Sequence, residues 1–163
     1  MSKNIFDTFK KVFRGSPVHK EEAKEGKLRI FKNIYSSLTL TILFEALNNE
    51  EFVFFSTTID ELKSNFGIPW RYTLLCIYYA INDDIHNLQI NYTFLKSLDT
   101  PKKLKNLIIQ HVIICETLLK KEAVDEVYFE EHLNVLVIVN NNLILNELLK
   151  KTFNINRKHI YIW

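Results

Sequence analysis

Residues 100–121 read Thr-Pro-Lys-Lys-Leu-Lys-Asn-Leu-Ile-Ile-Gln-His-Val-Ile-Ile-Cys-Glu-Thr-Leu-Leu-Lys-Lys. Thr100 is a residue type that caps a helix, and Pro101 already holds the φ of a first helical turn, so a helix starts here. At 100° per residue, Leu104, His111, Cys115 and Leu118 fall on one side. That spacing predicts a helix to about Lys121 with an apolar face turned toward a core.

The segments before it read in the same way. Pro69 opens a helix to about Ile81, which Asn82-Asp83-Asp84 breaks. Thr57 or Thr58 is placed to cap a helix through Phe66, with Gly67 as its C-cap. A longer helix is expected from Lys27 to Asn48, with Leu28, Phe31, Ile34, Tyr35, Leu38, Ile42 and Leu47 on one face. Leu40, Leu43 and Phe44 lie off that face, so this helix is expected to be buried on most sides. Phe52–Phe55 fits a strand or a buried turn equally well, and Ile85–Leu98 fits no single pattern.

Toward the C-terminus, Leu133–Val139 is short and β-branched and reads as a strand. Asn140–Asn142 is a turn, Leu143–Phe153 a helix, and His159–Trp163 a last strand. Only three Gly and three Pro punctuate 163 residues, which favours helices over a many-stranded barrel or sandwich. The expected fold is mainly α: a single compact helical domain of five to seven helices over residues 28–163, with a minor β element near the C-terminus. An amphipathic helix over residues 1–14 and a polar linker over 15–27 precede it.

The composition excludes several classes. Hydrophobic types make up 47% and charged types 25%, as in soluble globular proteins and unlike disordered chains. Net charge is +2, and only Arg14, Arg29, Arg71 and Arg157 are arginines, which disfavours a dedicated nucleic-acid binder. Residues 1–27 carry +3, residues 28–100 carry −3 and residues 101–163 carry +2, an acidic body between basic ends. The bias toward Ile, Leu, Asn, Lys, Phe and Tyr is the signature of an AT-rich genome. With two cysteines, no disulfide framework and no apolar run behind Met1, a reducing cytoplasmic setting is expected.

Catalytic motifs are missing. Gly15, Gly26 and Gly67 are too scattered for a phosphate-cradling loop. His111 and Cys115, at i and i+4, could face one metal, but a structural zinc needs about four ligands, and the expectation is a hydrogen-bonded core histidine with no metal. Adjacent carboxylates such as Glu50-Glu51 or Asp83-Asp84 point in different directions and make no acid–base couple. Glu130, Glu131 and His132 are the one cluster an enzyme would use. Thr57–Pro69 has the order of a helix-turn-helix, yet the helix after it offers only Arg71 and Thr73 to base edges and reads as a core helix.

The first fourteen residues are the most suggestive. Ile5, Phe6, Phe9, Val12 and Phe13 fall within an arc of about 120°, with Lys3, Lys10, Lys11 and Arg14 opposite. Such a helix folds back on its own core, docks on another protein, or lies on a membrane surface. Lys102 and Lys103 crowd a helix start, where positive charge opposes the dipole, a local conflict that can mark a docking surface. The expected function is a non-enzymatic, cofactor-free protein-interaction module of inhibitor, immunity or adaptor type from a phage, a virus or an AT-rich bacterium. Phe6, Phe9, Phe13, Lys10, Lys11, Lys102 and Lys103 are its expected partner-binding residues. Nucleic-acid binding through the helix-turn-helix-like segment and membrane association through residues 1–14 are the alternatives, with homo-oligomerisation left open.

Overall fold

Short polar side chains start three of the helices. In the computed structural model, which describes residues 37–120 and 123–154, Asp84 accepts from the Asn87 N–H at 3.2 Å. Asp125 accepts from Tyr128 at 2.8 Å, and Asn142 from Leu145 at 3.0 Å. Each bond satisfies a first-turn N–H that has no partner inside its own helix. The elements are α1 (37–48), α2 (Phe52–Thr58), α3 (Gly67–Ile81), α4 (Ile85–Lys96) and α5 (Lys105–Leu119), followed by α6 (Glu126–Tyr128), α7 (Val137–Asn140) and α8 (Leu143–Thr152). Short 3-10 turns cover Ile59–Glu61 and Lys102–Leu104, and a π turn, Phe129–Leu133, extends α6. The fold is mainly helical, a single helical domain, with no strand among the described residues.

Three helices end on left-handed residues that are not glycine: Glu50, Asp83 and Asn154, each with φ 58°. Behind α1, the Glu51 N–H reaches the Ala46 carbonyl at 2.8 Å and the Glu50 N–H reaches Leu47 at 3.2 Å. Behind α3, Asp84 and Asp83 repeat the pattern on Tyr79 and Ala80, at 2.8 and 3.2 Å. These are Schellman closures, where glycine is the usual choice. All three residues line one cleft, and there Lys151 Nζ donates to the Asn48 carbonyl at 2.7 Å, tying α8 to the end of α1.

The core gathers around α3, which packs against α4, α5 and α8. Trp70, Leu74, Cys76, Ile77 and Ala80 are buried on α3, and meet Leu88, Tyr92 and Leu95 of α4 and Ile114, Cys115 and Leu118 of α5. From α1, Leu43, Phe44 and Leu47 are buried, and the Phe44 ring meets Trp70 edge-on at 5.3 Å. Burying each such side chain stabilises the fold by roughly 1.5–3 kcal/mol.

Several expectations change. Leu133–Val139 is not a strand. Leu133 and Val139 are buried but Val135 and Val137 are exposed, and no neighbouring strand exists among the described residues to take a ladder. The backbone closes locally instead, Asn134 on Phe129 at 2.8 Å and Asn140 on Leu136 at 2.7 Å. β-propensity without a pairing partner does not make a sheet. Phe52–Phe55 is helical, as is Ile85–Lys96, so the described residues hold eight helices where five to seven were expected. The helix expected up to Phe66 stops at Glu61, and Gly67 opens α3 rather than capping the one before. Its lack of a side chain answers crowding: a Cβ there would sit 3.2 Å from Ser64 Oγ and 3.3 Å from the Leu62 backbone. On α1, Leu38 and Ile42 are exposed, and the core face is the Leu40, Leu43, Phe44, Leu47 side. Residues 1–36, including the expected first helix and linker, and the expected strand at 159–163 lie outside the described residues.

Candidate functional site

An apolar cavity of about 320 Å³ opens between α1, the start of α3, α5 and α7. Helical spacing builds one wall, since Leu104, Leu107, Ile108 and His111 succeed one another along one side of the α5 region. Pro69 and Trp70, in the first turn of α3, supply the second. Val137 and Ile138 supply the third, and Gln110 Oε1 holds this short helix on α5 by accepting the Ile138 N–H at 3.1 Å. Among the described residues no Asp, Glu, Lys or Arg lines the cavity. At its edge Phe66 is 37% exposed and Val137 57%, so apolar surface continues outward.

His111 is the buried polar group of the lining. Its Nδ1 lies 2.8 Å from Thr73 Oγ1, and its ring meets Trp70 edge-on at 4.5 Å. Burial pushes its pKa down to about 3, so the ring is neutral at pH 7. Thr73 engages Nδ1, which fixes the ring within the wall. A histidine this weakly basic is a poor general base near neutrality but a sound hydrogen-bonding partner. The Cys115 thiol donates toward Thr73 Oγ1 at 3.9 Å, and the Cys76 thiol toward the Leu88 carbonyl at 3.7 Å. Burial, with Cys76 alongside, pushes the Cys115 thiol well above its ordinary value, so neutral pH leaves it protonated and inert as a nucleophile. Among the described residues, no three His, Cys, Asp or Glu side chains gather as metal ligands.

No protein-family model matches the chain. No curated protein and no solved structure matches it either. The site is therefore read from its own chemistry, which is that of a socket for an uncharged group.

Of the residues expected to bind a partner, Lys102 and Lys103 are exposed on the 3-10 turn that leads into α5, beside Leu104 of the cavity wall. Phe6, Phe9, Lys10, Lys11 and Phe13 lie outside the described residues. Glu130, Glu131 and His132 do not converge on the cavity. Glu130 accepts from Asn134 at 2.8 Å, while His132 stacks on Tyr128 at 4.2 Å and holds its carbonyl through Nδ1 at 3.2 Å. The helix-turn-helix-like segment forms two helices, but α3 is the buried centre of the domain and Arg71 is paired with Asp60 at 2.8 Å. Sequence reasoning missed Phe66, Trp70, Ile108 and Ile138 as a group. The available signal was His111, one polar residue on an apolar face.

Proposed function

We propose that this protein is a non-enzymatic interaction module that binds another protein by seating an apolar side chain of that partner in the His111 cavity. The observation that supports the reading most is a socket with no charged side chain among its described lining residues, where Phe66 and Val137 stand exposed at the edge beside the uncharged polar Ser37, Thr41, Asn65 and Asn141. Buried aromatic anchors in such sockets carry most of the affinity of protein interfaces. Lys102 and Lys103, just outside the wall, suit an acidic border on the partner. Among the described residues no helix is long and apolar enough to cross a membrane. A cytoplasmic setting, where free Cys76 and Cys115 stay reduced, completes the reading. An inhibitor, immunity or adaptor protein works in this way, by occupancy alone.

The test is capture of the partner from the source cell, followed by titration of the purified pair. A Phe66→Asp/Val137→Asp chain changes only the exposed rim, and is expected to lose affinity at least about tenfold. A partner held equally well by that variant sinks the reading.

A further inference from the structure

We propose that the partner is read through one short contiguous stretch of its chain, in which a tryptophan or tyrosine fills the socket and an aspartate or glutamate within about three positions of it faces Lys102 and Lys103. The inference rests on the reading of the cavity as a docking socket. The walls are apolar and partly aromatic, with Phe66 and Trp70 among them, while Thr41, Asn65 and Asn141 put polar atoms at the exposed edge. Thr41 Oγ1 gives its hydrogen to the Ser37 carbonyl at 3.1 Å, so toward an incoming group it acts as an acceptor. An apolar ring with an N–H or O–H at one end matches that division, and Trp and Tyr are the side chains built in this way. Arg, the third type common among interface anchors, would be buried without a counter-charge, because none of the described lining side chains is ionised.

Charge decides what flanks the ring. Leu104 lies in the wall between Lys102-Lys103 and Lys105, all three lysines exposed. A smaller hollow of about 50 Å³ adjoins the cavity, sharing Asn65, Pro69 and Leu104 with it, and brings in the Asp99 carboxylate. Three ammonium groups against one carboxylate leave this border of the groove positive, and carboxylates on the partner complement it. Two adjoining hollows suit neighbouring side chains of a peptide better than one small molecule. Leu104 belongs to both hollows and directly follows Lys103, so a chain that fills the cavity passes the lysines within roughly 10 Å, three extended residues.

The experiment pans a phage library of short random peptides on the immobilised full chain, with counter-selection on the Phe66→Asp/Val137→Asp chain, and measures the recovered peptides by fluorescence anisotropy. The expected peptides carry Trp or Tyr with Asp or Glu within about three positions. Replacing that ring residue by Ala should weaken binding at least about tenfold. Replacing it by Phe should weaken binding several-fold, because the polar atom goes while a ring stays. Changing the acidic residues to Lys should weaken binding at low salt, and by less at about 1 M salt. These substitutions sit in the peptide, so the folding of the protein does not enter. Peptides that reject the rim variant yet carry an aliphatic anchor or a basic flank overturn the proposal and leave the socket standing. Recovery of no peptide that tells the native chain from the rim variant also overturns it, and the socket itself is then judged by partner capture.

Discussion

Thr73 on α3 and His111 on α5 meet through a buried hydrogen bond, Oγ1 to Nδ1 at 2.8 Å, and the same Thr73 Oγ1 also takes the Cys115 thiol of α5 at 3.9 Å. The bond fixes the imidazole against Trp70 in the cavity wall. It also links the stability of the core to the state of the socket. This cross-tie includes His111, the buried polar residue of the cavity lining.

Stability should therefore fall in mild acid. His111 has a folded pKa of about 3 against an ordinary 6.5, so below pH 6.5 the unfolded chain takes up a proton that the folded chain refuses. Its contribution is fully present above pH 6.5 and is lost as pH falls through that window toward 3, at a limiting slope of about 1.4 kcal/mol per pH unit. Urea unfolding of the native chain and of His111→Leu between pH 7 and 4.5 reads the difference. Parallel pH profiles for the two chains would refute it.

Thr73→Val keeps the shape of the side chain and removes its hydroxyl. His111 Nδ1 is then left buried without a partner, which costs about 1–3 kcal/mol. In the Thr73→Val/His111→Leu chain neither side of the Thr73–His111 bond is left stranded, so the double change should cost less than the sum of the two. Additive losses in denaturant titrations would show that the contact carries no coupling.

The helices were legible where caps and breakers frame them. Pro69, Thr100-Pro101, Asn82-Asp83-Asp84 and Asn142 all stand at or within two residues of observed boundaries, because their effect is local. Leu133–Val139 was misread because β-branching records only a preference, and whether a pairing strand exists is a tertiary fact. Leu38 and Ile42 were misplaced for a related reason: α1 is apolar on more than one side, and the sequence does not say which side α3 will cover. The cavity was not legible at all. It arises where α1, α3, α5 and α7 approach without closing, and no spacing within one helix encodes a gap between four.

Glu50 should be better as glycine. Its φ of 58° is disfavoured for a side chain carrying Cβ, and the Glu50 N–H already closes α1 on Leu47 without help from its carboxylate. Glu50→Gly is expected to raise stability by about 1 kcal/mol, the left-handed strain relieved less the entropy glycine adds to the unfolded chain. Glu50→Val should lower it. Thermal melts at one pH order the three chains, and a Glu50→Gly protein less stable than the native one contradicts the strain argument.

Lys102 and Lys103 stand in the turn that opens α5, so their ammonium groups face the positive end of its dipole. Reversing them, in Lys102→Glu/Lys103→Glu, should stabilise the free protein by about 0.3–1 kcal/mol per site at low salt, and by less at 1 M salt, where screening is strong. A chain gains nothing for its own fold from keeping cations there, so their use lies in what they meet. If they border the groove's partner, the same reversal should weaken association, chiefly by slowing its on-rate, with a smaller penalty as salt rises. Stopped-flow association across a salt series separates the two effects. A double reversal that stabilises the protein and leaves association unchanged removes the lysines from the interface while leaving the socket in place.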